Sequence, residues 1–228
     1  EALAQAGIAA PLFITQNDGT VVSAEEAAAF PVRSFASGPT NSLRGAAFLS
    51  GLEDALVVDV GGTTADVGSL VRGFPREANN AVEVGGVRTL FRMPDLLSIG
   101  LGGGTLVDPS DPARIRPRSL GFRLTEEARG FGGSSLTCTD IAVAAGLIDL
   151  GDRGCVAALD RGYVAAALAR MRVMLADAVD RMKSDARAVP LIAVGGGAFL
   201  VPNELPGISE VIRVQHAGVA NALGAAIA

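Results

Sequence analysis

Aromatic and histidine side chains are scarce in this sequence. It has no Trp, one Tyr and one His, and aromatic residues make up 4% of the chain. So few flat side chains disfavour a base-stacking surface for single-stranded nucleic acid. The single histidine, His216, excludes a metal site built from several histidines of this chain.

Charge and cysteine are also limited. Charged residues make up 19% of the chain and the net charge is -5, so no basic field is available for nucleic acid or an anionic membrane. Cys138 and Cys155 are too few for a disulfide framework and lack a paired metal spacing, which favours idle thiols in the cytoplasm. The longest uncharged stretch, 188–203, is broken by Pro190 and three glycines, so no membrane span is expected.

Apolar residues and glycine are what the sequence has in quantity. Hydrophobic residues make up 49% of the chain, which also contains 29 glycines. This is enough for a sizeable core in one large domain or two small lobes. The chain starts without Met in one helix-like segment and stops in another, so we expect an excised domain of a longer polypeptide.

Hydrophobic periodicity predicts an α/β fold with a mixed sheet flanked by helices. The run 55–60 is continuously apolar and β-branched, as in a strand buried on both faces, and 66–71 returns as a second strand. Apolar positions spaced by three and four predict a long helix over 160–186. Further elements are predicted as a buried strand at 11–15, a helix within 39–52 that stops near Gly51, helices at 139–145 and the C-terminus, and strands at 190–194 and 211–214.

The glycine turn between the first two sheet strands is the first candidate site. Gly61 and Gly62 would let backbone N–H groups approach phosphate oxygens closely, and Thr63 and Thr64 add hydroxyl donors. Asp59, at the end of the strand, could supply the carboxylate that hydrated Mg²⁺ prefers. On this segment alone, a plain β-hairpin with a polar turn is an equally good interpretation.

The second candidate site is a glycine triplet, Gly195, Gly196 and Gly197, directly after a buried strand. Such glycines allow a flat ring to lie against the backbone. Taken alone, the triplet is better interpreted as a strand-to-helix turn, because short glycine motifs are weak signals.

The order of the motifs resembles the ATPase half of the actin, sugar-kinase and heat-shock chaperone superfamily. The segment SGPTNSLRGAAFLSGLEDALVVDVGGTTADVG is followed much later by VPLIAVGGGAFLVP and HAGVANALGAAIA. The resemblance implies an actin-like (ribonuclease H-like) ATPase lobe formed by 1–72 and 161–228. It also implies an inserted smaller α+β subdomain over 73–160, and an N-terminal lobe outside this chain that carries the first phosphate loop.

A narrower resemblance, to the A subunits of the hydantoinase/oxoprolinase family, covers most of 11–228. It rests on PLFITQNDGTVVSAEEAAAFPVRSFASGP, DVGGTTADVG, IGLGGGT, RPRSLG and TCTDIAVAAGLI. It implies an ATP-dependent hydrolase that opens a cyclic amide or imide after phosphorylation of the carbonyl oxygen. A B-type partner subunit or a homo-oligomer would accompany it.

The same resemblance implies roles for individual residues. Asp59 and the turn Gly61, Gly62, Thr63 and Thr64 would hold the β- and γ-phosphates of ATP and its Mg²⁺. Asp66 would act with Asp59 in catalysis by orienting water or metal. The glycines of the triplet, at positions 195, 196 and 197, would face the adenosine.

Two departures from the family pattern leave the substrate open. Leu97 stands where many members carry a histidine before the GxGGG loop, and 122–132 replaces a segment rich in proline and cysteine. A chaperone-like reactivase or regulatory ATPase, an ATP-dependent ketone carboxylase subunit, and a structural domain with degenerate glycine turns remain alternatives. Under a nucleotide-binding function, both glycine turns must lie at the same edge of one sheet, facing a common cleft.

Overall fold

The computed structural model describes residues 2–78, 82–84, 86–89 and 92–228. Short 3-10 turns connect several of its elements. In chain order the helices and strands are α1 (Ala2–Gln5), β1 (Phe13–Thr15), β2 (Val21–Ser23), α2 (Ala24–Ala29), α3 (Ser37–Ser50), β3 (Ala55–Val60), β4 (Ala65–Val71), β5 (Phe74–Pro75), β6 (Val82–Val84), β7 (Val87–Thr89), β8 (Leu96–Ile99), β9 (Thr105–Asp108), β10 (Asp111–Ser119), α4 (Leu124–Glu127), α5 (Cys138–Ala144), α6 (Arg161–Met182), β11 (Val189–Val194), β12 (Ile208–Arg213) and α7 (Ala220–Ala226).

A mixed sheet forms the centre of the fold. Its strands follow the order β12-β11-β3-β4-β5, and β8 also pairs with β4. β12, β11 and β3 are parallel to one another, whereas β4 is antiparallel to both β3 and β8. The apolar run of β3 is explained by burial on both faces, because neighbouring Val57 and Val58 are each fully buried and pack in different core clusters. The predicted α/β fold is confirmed.

Helices cover both faces of this sheet. On one face α6 packs its apolar stripe, which includes Met171, Leu175 and Val179, against the larger core cluster. The other face is covered by α3 and α7, with Leu43 and Ala46 of α3 in the smaller cluster. The two helical layers and the sheet between them form a three-layer arrangement.

α3 and α7 cross with their backbones in contact. A Cβ atom built on Gly45 or on Gly224 would overlap the carbonyl of the facing helix, so only glycine permits this approach. The crossing is joined by Asn221, whose side-chain amide donates to the Gly38 carbonyl (2.7 Å) and to the Ser42 hydroxyl (3.2 Å). α3 is thereby fixed over the sheet face that carries Asp59.

Three details differ from the sequence-based prediction. α6 ends at Met182 rather than at position 186, because the next residue, Lys183, has extended backbone angles and its N–H closes the last turn. α5 has Thr137 rather than Thr139 as its N-cap, and Asp140 completes the capping box from the third helical position. β1 is buried only at Thr15, since among the described residues it pairs with β2 alone and Phe13 is 61% exposed. No helix in the described ranges is long and apolar enough to cross a membrane.

The division into an ATPase lobe and an inserted subdomain stays a prediction. The segment 73–160 contains β9, β10 and α5, which lie outside the main sheet. It also contains β8, which pairs with β4 over four residues and is therefore part of that sheet.

Candidate functional site

Both glycine turns leave the sheet at the same end. β3 and β11 are parallel neighbours in which Asp59 pairs with Val194, so the turns that follow them start side by side. The N–H of Gly197 donates to the carbonyl of Val60 at 2.7 Å, which joins the second turn to the first. The predicted placement at one edge of one sheet is confirmed.

The turn between β3 and β4, Gly61–Thr64, is called here the hairpin turn. It is closed by a hydrogen bond from the Gly61 N–H to the Thr64 carbonyl (2.9 Å). A second segment packs against it, the glycine loop Gly100–Thr105. A Cβ atom on Gly102 would lie 2.5 Å from the Thr63 nitrogen, so this loop could not approach the turn with a larger residue at that position.

The glycine loop binds the carbonyl groups of the hairpin turn. The carbonyls of Gly61, Gly62 and Thr63 each accept a hydrogen bond from the loop, which fixes the orientation of their peptide planes. The bonds run from Gly103 N–H to Gly61 O (3.0 Å), from Gly104 N–H to Gly62 O (2.7 Å) and from Thr105 Oγ1 to Thr63 O (3.2 Å).

The fixed carbonyls determine where the N–H groups of the turn point. All described peptide bonds are trans, so each N–H is directed opposite to the carbonyl of its own peptide unit. The N–H groups of Gly62, Thr63 and Thr64 therefore point away from the glycine loop, and within the described residues they donate to no acceptor. Gly62 and Thr63 are exposed. Successive free N–H groups of this kind form a concave site for an anion such as a phosphate.

Asp59 lies beside this turn on the sheet face that α3 covers. Burial raises the pKa of its carboxyl group, the Ser42 hydroxyl of α3 lowers it, and the charge of Asp66 raises it further. Among the groups of the described residues that shift this pKa there is no backbone N–H donor. A half-buried carboxylate without backbone donors is a suitable ligand for a cation, which would offset the unfavourable burial of its charge.

Asp66 faces Asp59 directly across the antiparallel pair β3–β4. The hydroxyl of Ser98 donates to the Asp66 carboxylate. Leu97, the neighbour of Ser98, pairs with Val67 and packs with the core on the α6 side. Because successive side chains of a strand point to opposite faces, Ser98 rather than Leu97 accompanies Asp66 in the site.

The glycines of the triplet have different surroundings. Gly195 has φ +88°, and a Cβ atom there would overlap the Asp59 carboxylate and the Val60 carbonyl. On Gly197 a Cβ would lie 2.7 Å from the Val60 side chain. Only at Gly196 is the space open, with no atom within 4 Å. Two of these glycines therefore pack against the end of β3 and the start of the hairpin turn, and one presents bare backbone to solvent.

Arg213, at the end of β12, is a site residue that the sequence analysis missed. Its guanidinium group donates to the carbonyls of Ala198 (3.2 Å) and Val201 and to the Asn203 side chain (3.0 Å). These bonds hold the segment that follows the glycine triplet. The sequence carries no signal for this role, because an arginine near a strand end is an ordinary surface residue.

A cavity adjoins the glycine triplet on the α6 side of the sheet. Its volume is about 730 Å³, which lies within the range of small-molecule sites. Phe199 and Leu200 form one wall, and Leu168 and Arg172 of α6 form another.

The polar groups at the turn suit a magnesium–phosphate ligand. Among the described residues, no three His, Cys, Asp or Glu side chains cluster as a closed metal site would require. Mg²⁺ does not need such a cluster, since it keeps several waters and uses one or two carboxylates together with phosphate oxygens. The open backbone at Gly62 and the carboxylates of Asp59 and Asp66 match that donor set.

Comparison with known proteins gives one family and several relatives. The family model for hydantoinase/oxoprolinase matches residues 1–152. The gamma subunit of acetophenone carboxylase from Aromatoleum aromaticum is 31% identical over 123 residues, which is 51% of this chain and 17% of that protein.

Two solved structures share the fold. Acetone carboxylase in its nucleotide-free state superposes with a TM-score of 0.76 at 21% identity, over 100% of this chain and 36% of that one. The ATP-dependent caprolactamase from Pseudomonas jessenii gives 0.68 at 19% identity, over 98% of this chain and 37% of that one. The fold is therefore that of the actin-like ATPases, and the chain spans little more than a third of either structure.

Proposed function

Because this chain belongs to the hydantoinase/oxoprolinase family, we propose that it is the ATP-binding domain of an enzyme that opens a cyclic amide or imide. One observation carries the proposal. The N–H groups of Gly62, Thr63 and Thr64 point together to the open side of the hairpin turn, beside the half-buried carboxylate of Asp59. Backbone donors next to a metal-binding carboxylate are what phosphoryl transfer requires, since it depends on positioning and charge stabilisation.

Each site residue has a role in this proposal. The hairpin turn, with Gly61 at its start, would bind the β- and γ-phosphates. The Thr64 hydroxyl would supply a further donor, and the Thr63 hydroxyl would have to turn from Ser119, to which it donates in the structure, to do the same. Asp59 would hold Mg²⁺, and Asp66, oriented by Ser98, would orient the attacking water or the metal. ATP supplies a phosphoryl group to the carbonyl oxygen of the ring. Water then provides the oxygen of the new acid, so that the products are the opened ring, ADP and phosphate.

Adenosine would lie at the glycine triplet. Gly196 offers open backbone, Gly195 and Gly197 hold that backbone against the hairpin turn, and the adjoining cavity has room for a base. Arg172 and Phe199 stand on two walls of this cavity and could contact an adenine ring. A second lobe, which we expect to carry the other phosphate loop, would close the cleft from the side to which the turn's N–H groups point.

The proposal also includes a partner subunit and the cellular compartment. The gamma subunit of acetophenone carboxylase is one subunit of its enzyme, which supports a B-type partner subunit for this protein; a homo-oligomer is the alternative. Cys138 and Cys155 are free thiols, in keeping with the reducing cytoplasm.

Ketone carboxylation is the second candidate. It is favoured by the 31% identity to acetophenone carboxylase and by the likeness to acetone carboxylase. The same phosphate and metal contacts serve both reactions, because both activate a carbonyl or enolate oxygen with ATP. The two candidates differ in the substrate and in the need for bicarbonate.

A turnover experiment with the full-length protein and its partner subunit tests the proposal. ATP hydrolysis is measured with hydantoin, 5-oxoproline or caprolactam, and separately with acetone or acetophenone plus bicarbonate. ATP hydrolysis coupled to ring opening supports the amide hydrolase, and consumption of ketone and bicarbonate supports the carboxylase. ATP hydrolysis stimulated only by a protein partner would favour a reactivase or regulatory ATPase. Absence of nucleotide binding would refute all three.

A further inference from the structure

One peptide unit of the glycine loop connects α5 to the hairpin turn. The carbonyl of Gly103 accepts both the N–H and the hydroxyl of Thr139, each at 2.9 Å. The N–H of the same peptide unit, on Gly104, donates to the Gly62 carbonyl at 2.7 Å. Because the peptide unit is planar and trans, fixing its carbonyl at α5 also fixes the direction of its N–H at the turn.

The hydroxyl of Thr139 is not needed to cap α5. Thr137 and Asp140 already form the capping box of this helix. Thr139 is 2% exposed, and a Cβ atom on Gly103 would lie 2.9 Å from its Oγ1. The glycine therefore leaves the space in which the hydroxyl reaches the loop carbonyl.

Ser119 fixes the same carbonyl of the turn from another direction. Its hydroxyl donates to the Gly62 carbonyl (2.9 Å) and accepts from the Gly121 N–H (3.1 Å) and the Thr63 hydroxyl (3.3 Å). A serine hydroxyl has one hydrogen and two lone pairs, so all of its capacity is used. Ser119 therefore connects β10 to the turn, and its hydroxyl is not free to act as a nucleophile.

From these contacts we propose that Thr139 and Ser119 are positioning residues for phosphate binding. They hold the Gly62–Thr63 peptide unit of the hairpin turn so that the N–H of Thr63 faces the ligand. This inference rests on the proposed function of the turn. It assigns a role to TCTD and RPRSLG, two sequence motifs that contribute no group to the metal or the nucleotide in that proposal.

The test compares hydroxyl variants with matched controls in the full-length protein. Thr139→Val removes the hydroxyl at nearly constant shape, and Thr139→Ser restores it. Thr40→Val is the control, because Thr40 is also buried and donates its hydroxyl to a backbone carbonyl, that of Asn17 (2.7 Å), away from the turn. Ser119→Ala tests the hydrogen bond from Ser119 to the Gly62 carbonyl. Its control is Ser50→Ala, which removes a hydrogen bond to the Ala46 carbonyl (2.8 Å).

Two measurements separate positioning from a general loss of structure. The first is the ratio of the dissociation constants for MgATP and adenosine, measured by calorimetry. Thr139→Val and Ser119→Ala should each weaken MgATP binding by about tenfold, the effect of one lost or misdirected hydrogen bond to a charged group, and should leave adenosine binding within about twofold. The second is hydrogen exchange in the ligand-free protein. Amides of the segment 100–105 should exchange about tenfold faster in Thr139→Val than in Thr40→Val.

The outcomes test the proposed function and the positioning role separately. If wild-type protein binds MgATP no better than adenosine, the proposed function itself is wrong. If wild-type protein prefers MgATP but Thr139→Val keeps that preference or the wild-type exchange rate, the positioning role is refuted. Equal loss of affinity for both ligands, or no rescue by Thr139→Ser, would also refute it.

Discussion

Gly195→Ala should destabilise the protein far more than Gly196→Ala, although the two glycines are neighbours. Gly195 has φ +88°, in the left-handed region that favours glycine. A Cβ atom at this position would lie 2.9 Å from the carbonyl carbon of Val60 and closer still to its oxygen and to the Asp59 carboxylate. At Gly196 no atom lies within 4 Å and φ is outside the left-handed region.

The expected size of the effect follows from these two differences. The left-handed backbone costs a residue with a Cβ about 1–2 kcal/mol, and forcing extra atoms into a packed region costs about 1–3 kcal/mol. We therefore expect Gly195→Ala to lower the free energy of unfolding by about 3 kcal/mol. For a domain of this size that corresponds to a thermal midpoint lower by about 6–12 °C. Gly196→Ala should change stability by no more than about 0.5 kcal/mol.

The two variants should also differ in turnover and in nucleotide binding. The Gly195→Ala side chain displaces Asp59, so the folded fraction should lose turnover. The Gly196→Ala side chain occupies the open space where we propose that adenosine lies, so it should weaken nucleotide binding at unchanged stability. Thermal unfolding and nucleotide titration of both variants check these expectations. If Gly195→Ala is as stable as wild type, or if Gly196→Ala is the destabilised variant, the described loop geometry is wrong.

Two further predictions concern ionisable groups. The pKa of Asp59 is raised in the fold, so its contribution to stability is present below its ordinary pKa of 3.8 and is lost as pH rises through the folded pKa. Asp59→Asn should therefore raise the thermal midpoint at pH 7, and this gain should shrink toward pH 4. Its turnover should fall by about a hundredfold or more. A variant that is less stable but has normal turnover would show that Asp59 has a structural role only. Burial raises the pKa of the Cys138 thiol to about 12, so iodoacetamide at pH 8 should modify exposed Cys155 but not Cys138 in the native protein, as read by peptide mass spectrometry. Modification of both at equal rates would contradict the described burial.

The sequence predicted the elements that depend on local pattern. β3 was recognised because five of its six residues are apolar, which is required for a strand covered on both faces. The end of α3 at Gly51 was recognisable because glycine adopts the left-handed conformation found there. The common edge of the two glycine turns followed from the motif order and its resemblance to a known superfamily.

Contacts between distant segments were not predictable in the same way. Whether Leu97 or Ser98 accompanies Asp66 depends on which face of β8 is turned to the site, and that is set by pairing with β4. The choice of Thr137 over Thr139 as the helix cap depends on where α5 starts, which TCTD leaves open because several of its residues can cap. The role of Arg213 was not predictable because two of its three acceptors are backbone carbonyls, which no sequence motif marks.

The glycines of the site fall into two groups, one in tightly packed backbone and one in open backbone. At Gly102, Gly195 and Gly197 the absent side chain allows one backbone to pack against another, and at Gly62 and Gly196 it leaves backbone open to solvent. A motif of consecutive glycines cannot distinguish the two, because both need the same residue. Hydroxyl side chains act on both groups, since Thr139 donates to the Gly103 carbonyl of the packed loop and Ser119 donates to the Gly62 carbonyl of the open turn. In a site built from backbone, serine and threonine residues outside the glycine motif therefore indicate which peptide carbonyls are fixed, and hence which N–H groups are directed to a phosphate.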